Sequence, residues 1–123
     1  MPDIILFRIN LNKAQMSHYH TNLEILSQSN LGHVGVCVDC GNIQVSYGNV
    51  LLYFTERSLR KFVKSLKNID PSFVFKMPEG DKILITSPCK TVMITLDDNE
   101  LNDIIFLIED SIISLEINKV VLQ

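Results

Sequence analysis

Cys37-Val38-Asp39-Cys40-Gly41 is the stretch with the most evident chemistry. Two cysteines three apart can grip one tetrahedral ion from a tight loop, and a glycine after the second supplies the positive φ that such a turn often needs. All three histidines lie upstream, at His18, His20 and His33. A structural zinc site wants four soft or borderline ligands, and His18, His20, Cys37 and Cys40 would supply them. If their stretch is extended, His18 and His20 share a face, so both could approach one ion. Four protein ligands would fill the ion, which describes a structural site with no open position for catalysis. Cys89 is a substitute ligand farther along the chain. Two other readings stand beside zinc. The thiols could be inert and reduced, or they could be a redox pair. Redox chemistry is disfavoured by context, because a thioredoxin-like C-x-x-C opens a helix whose N-terminus lowers the thiol pKa. Here Gly41-Asn42 leads into a strand-like segment instead.

No other catalytic constellation is present: the chain has no G-x-S-x-G, P-loop or H-E-x-x-H. Asp97-Asp98 reads as helix capping, and the sequence therefore points away from an enzyme. The first helical segment carries Arg57, Arg60, Lys61, Lys64 and Lys67 on one flank, a candidate phosphate-contacting stripe. No aromatic residue interleaves it, and the formal net charge of the protein is −3, which argues against nucleic acid as a partner. Charge is split along the chain. Residues 1–69 carry seven Lys/Arg and four Asp/Glu, whereas residues 70–123 carry four and ten. A basic helix lying beside an acidic one would explain that split without any ligand.

The elements that must hold these residues follow from pattern. At 123 residues and 46% hydrophobic, the chain is one globular domain with a core of its own. Ile5, Phe7, Ile9 and Leu11 alternate with Leu6, Arg8 and Asn10, so residues 4–11 read as a strand or arm. Residues 1–15 form an N-terminal extension, and residues 16–123 form the domain. Strands are expected near 23–27, 33–38, 43–47, 50–54, 72–76, 82–86 and 91–96, with Gly48-Asn49 as a hairpin turn. A helix capped by Thr55 covers 55–68, with Leu59, Phe62, Val63 and Leu66 on its core face. A second helix starts at Asp97, where Asp97 and Glu100 make a capping box, and runs to about Leu115. A short strand is expected at Lys119–Leu122.

Residues 50–66 align without a gap to residues 92–108, matching strand parity, cap and helical stripe at a spacing of 42. Each unit must bury a sheet face under a helix. The simplest result is an α+β fold, an antiparallel sheet with both helices on one face. The second helix has more apolar surface than one core stripe uses. Phe106, Ile113 and Ile117 fall on its opposite side, where they would contact a protein partner, a second copy in a homodimer, or the arm at 4–11.

The run His18-x-His20, Cys37-x-x-Cys40-Gly41-x-Ile43-Gln44-Val45-x-Tyr47-Gly48-Asn49, then strand and helix, resembles an uncharacterised family of short bacterial proteins, mostly from Bacteroidetes. That family is known as a domain of unknown function. The likeness covers roughly residues 16–115. It implies a Cys-plus-His cluster at the start, where Ser17 stands about at the cysteine's position, and a natural beginning near Met16. No activity comes with it. The odd cysteine count, the absence of a signal-peptide pattern and the lack of a long apolar run give the expectation of a cytoplasmic protein with no membrane association.

Overall fold

The computed structural model describes residues 22–70, 74–89 and 91–121. The arm at 4–11 and the histidines His18 and His20 lie outside these residues. Four strands come first: β1 (Leu23–Gln28), β2 (Gly32–Cys37), β3 (Ile43–Tyr47) and β4 (Val50–Phe54). They pair in chain order as an antiparallel sheet. Helix α1 (Glu56–Lys67) follows. Then β5 (Val74–Met77), β6 (Gly80–Thr86) and β7 (Met93–Leu96) form a second antiparallel sheet, and α2 (Asp98–Val121) completes the chain.

The α+β class is as the sequence reads, but the strands divide into two sheets rather than one. Strand pairing here is local. Each strand pairs with its neighbour across a short turn, and no ladder joins β4 to β7 among the described residues. The helix α1 interrupts the meander, so the second set of strands starts a new sheet. Gly48 takes φ +56° in the β3–β4 turn, a left-handed conformation that glycine adopts at low cost. Gly32 is required for another reason. A Cβ there would lie 2.1 Å from the backbone oxygen of Ser46, so only glycine lets β2 start beside β3.

The strand-cap-helix repeat is visible in both halves. Thr55 Oγ1 accepts the Ser58 backbone N–H at 3.1 Å, while the Thr55 N–H donates to Ser58 Oγ at 2.9 Å. Forty-two residues on, Asp97 Oδ1 accepts the Glu100 N–H at 2.8 Å and the Asp97 N–H donates to Glu100 Oε1 at 2.9 Å. These are two capping boxes, each satisfying helix-terminal donors reciprocally.

A single core joins the layers. It takes Val34, Val45 and Phe54 from the first sheet, and Leu59, Phe62 and Leu66 from α1. Ile83, Ile94, Ile104, Leu107 and Ile108 come from the second sheet and α2. The Phe54 and Phe62 rings sit 4.9 Å apart between centroids. The helix α2 packs on β1 and β2, on β6 and β7, and along α1. Ser27, at the bulge in β1, donates to the Leu107 carbonyl at 2.6 Å and ties that strand to the middle of α2.

Helix α2 runs well past the expected end at Leu115, and Lys119–Val121 are helical rather than a strand. No glycine or proline follows Leu115 to stop it. Lys119 suits a helix C-terminus and reaches Glu56 at the start of α1, with Nζ 2.7 Å from Oε2. The β-branched pair Val120-Val121 carries a strand preference, yet both residues belong to α2.

Candidate metal knuckle

Strand β2 ends at Cys37, and the chain turns back into β3 within five residues. The turn is closed by main-chain bonds. The Gly41 N–H donates to the Cys37 carbonyl and the Cys37 N–H donates to the Asn42 carbonyl, each at 2.8 Å. The Val38 N–H donates to the Asn22 carbonyl at 3.0 Å, which anchors the turn to the start of β1. Gly41 takes φ +79°, the left-handed conformation expected at the residue after the second cysteine.

This backbone directs amides at both sulfurs. The Cys40 N–H donated to Cys37 Sγ holds that thiol below its ordinary value, with the Asp39 N–H acting the same way and burial opposing both. Burial raises the Cys40 thiol, against the Asn42 N–H donated to its sulfur at 3.5 Å. Amide donors favour the thiolate, the form that binds metal. Each thiol also acts on the other, lowering Cys37 and raising Cys40. Cys37 is buried and Cys40 exposed. In a dithiol exchange enzyme the attacking thiolate must be accessible. Here the thiol with lowered pKa is the buried one, the reverse of that arrangement.

The remaining expected ligands divide. His18 and His20 lie outside the described residues. His33 is on β2 opposite Ser46, four residues up the strand from Cys37 and so about 13 Å away. Cys89 sits in the turn between β6 and β7, with its sulfur 3.2 Å from Thr91 Oγ1, whose hydroxyl lowers the Cys89 thiol. Among the described residues no group of three or more His, Cys, Asp or Glu comes together. Among the described residues Cys37 and Cys40 therefore stand as a pair without further ligands.

The basic stripe of α1 is partly turned toward α2. Arg60 pairs with Glu116, and Lys67 Nζ lies 3.0 Å from Glu109 Oε2. These two pairs put basic α1 beside acidic α2, the arrangement that accounts for the charge split, while Lys119 of α2 and Glu56 of α1 add a pair of the opposite sense. Arg57, Lys61 and Lys64 face solvent. On α2, Phe106, Ile113 and Ile117 are 61%, 56% and 56% exposed, more than half of each side chain in solvent.

Sequence reasoning missed a part-buried polar cluster. Tyr47 Oη and Ser29 Oγ each donate to Asp103 Oδ2 at 2.9 Å, joining β3 and the β1–β2 turn to α2. Burial raises the Tyr47 hydroxyl above the usual phenol value, and the Asp103 carboxylate pushes it the same way. The only signal was an aspartate amid the apolar positions of α2, which pattern alone reads as surface.

No helix among the described residues is long and apolar enough to cross a membrane. No curated protein and no solved structure matches the chain. A family model does match, over residues 18–120, which spans both sheets, both helices and the knuckle. The chain belongs to this family, DUF6686, a family of unknown function.

Proposed function

We propose that the protein is a small non-enzymatic interaction module whose Cys37–Cys40 turn is half of a structural zinc site. His18 and His20 would complete the coordination and fasten the start of the domain to the β2–β3 turn. The observation that supports this reading is the set of amide groups aimed at the two sulfurs from a turn that Gly41 closes. Such donors stabilise thiolates before any ion arrives, and zinc needs its cysteine ligands deprotonated. Zinc bound by four protein ligands would supply folding energy and no open coordination position.

The module would work by contact, through the exposed apolar stripe of Phe106, Ile113 and Ile117 on α2, taken by a protein partner or a second copy of the chain. A helix with apolar residues on every side is normally covered on every side, and one side of α2 is not.

Cobalt(II) tests the metal reading, because it substitutes for zinc and is coloured when thiolates bind it. Titration of the metal-free full-length chain should give one equivalent of tetrahedral cobalt with sulfur-to-metal charge-transfer absorption. Cys37→Ser should abolish that absorption. A pink, octahedral spectrum unchanged from free cobalt would overturn the proposal.

A further inference from the structure

The helices α1 and α2 lie side by side and antiparallel, since Lys67 pairs with Glu109, Arg60 with Glu116 and Glu56 with Lys119. Glu109 and Glu116 therefore mark the flank of α2 that faces α1. At about 100° per residue, Phe106, Ile113 and Ile117 form the outer crest of the helix, and Asp110 falls beyond them on the far flank. That flank meets β1, where Ser114 Oγ donates to the Leu26 carbonyl at 3.4 Å. Asp103, on the same flank, is taken by Tyr47 and Ser29. Asp110 makes no ion pair among the described residues, and neither do Arg57, Lys61 and Lys64 on the solvent side of α1. The outer surface thus runs from cations on α1, across the paired Glu109 and Glu116, over the apolar crest to a lone carboxylate.

A cleft of about 400 Å3 opens over the seam between the helices. Val63, Lys64, Lys67 and Asn68 line it on the α1 side, and Glu109, Ile112 and Ile113 on α2. Two lysines against one glutamate leave the cleft with one positive charge in excess. Lys64 lies between Arg60 and Lys67, hence between the levels of Glu116 and Glu109, close to the level of Asp110. Within one chain the apolar crest separates the two.

Two copies of one surface meet about a two-fold axis. If that axis crosses the helices, α2 runs antiparallel to its mate and α1 stacks on α1. Arg57, Lys61 and Lys64 would then meet the same cations, and like charges so placed oppose docking. If the axis runs along the helices, α2 lies parallel to its mate and each α1 sits over the other's far flank. The partner's Asp110 then comes down over the Lys64 cleft. We infer that a second copy of this chain covers the stripe in this second way, with α2 parallel to α2, Ile113 on Ile113, and Asp110 of each copy entering the other's cleft between Lys64 and Lys67. The inference rests on the stripe being a contact surface and adds what occupies it. Apolar burial drives the association, and the charges select its orientation.

Sedimentation equilibrium of the full-length chain tests this. The wild type should dimerise. Lys64→Asp and Asp110→Lys should each weaken the dimer about tenfold, because each sets like charges together at both of the symmetric contacts. Mixed one to one, the two variants should form a heterodimer as tight as the wild-type dimer, since each supplies the charge that its partner lacks. Ile113→Glu should give a monomer with an unchanged circular dichroism spectrum. A monomeric wild type overturns the inference and gives the stripe to another occupant, leaving the contact reading in place. Mixing that restores nothing, with Ile113→Glu monomeric, overturns the parallel arrangement. A dimer that survives Ile113→Glu overturns the inference and removes the stripe from the interface altogether.

Discussion

Tyr47 and Asp103 show what a single part-buried hydrogen bond does here. The phenol donates to a carboxylate across the interface between β3 and α2. A hydrogen bond to a charged group contributes roughly 1.5–3 kcal/mol. Tyr47→Phe should therefore lower the unfolding free energy by about 2 kcal/mol in denaturant titration at pH 7. The pH dependence has a definite sign. The folded phenol is raised above its unfolded value, so the folded state keeps a proton that the unfolded chain releases near pH 10. The stabilisation is complete below about pH 10 and falls above it, at up to about 1.4 kcal/mol per pH unit. Comparing stability from pH 9 to 11 in the wild type and in Tyr47→Phe isolates this slope, which should be shallower in the variant. The sequence hid this pair because side-chain periodicity says nothing about which polar residue meets which. The turn that holds Cys37 and Cys40 was legible because it is local, fixed by five adjacent residues of which one is glycine.

At the scale of elements, the same locality explains what could and could not be read. Thr55 and Asp97 announce their helices by residue type, and both capping boxes form as spacing demands. Asp97→Ala and Thr55→Ala should each cost about 1 kcal/mol in thermal or chemical unfolding. An unchanged midpoint in either variant would mean that the cap is not holding its helix. The strands were legible from alternation, whereas their division into two sheets was not. Pairing beyond a hairpin depends on where α1 carries the chain, and no residue in 68–73 encodes that by itself. Likewise the last six residues of α2 include the Lys119 that contacts Glu56 of α1, a partner 63 residues distant. Exposed ion pairs of this kind contribute only about 0.2–1 kcal/mol each. Reversing both Glu109 and Glu116 to Lys should destabilise the protein by about 1–2 kcal/mol at low salt, and less at high salt as the charges are screened.

For the whole molecule, the two sheets and two helices share one core, yet α2 keeps an apolar side in solvent. The sequence showed that surplus because Phe106, Ile113 and Ile117 recur at helical spacing opposite the core stripe. It could not show what meets them, since a contact surface and its partner are encoded in different chains or in distant segments. If a second copy covers the stripe, Phe106→Glu should yield a monomer with an unchanged fold by sedimentation and circular dichroism, from a wild type that sediments as a dimer. A monomeric wild type would exclude the homodimer and leave a different protein as the partner. The zinc reading ties these scales together, because it makes a five-residue turn the anchor for the start of the domain. Its most direct test is metal content by elemental analysis of freshly purified full-length protein, with its mass measured under native conditions. The account predicts one zinc per chain, lost in the Cys37→Ser, Cys40→Ser double variant together with a lower unfolding temperature. Protein that carries no metal, with all three thiols titrating freely in the folded state, would contradict it.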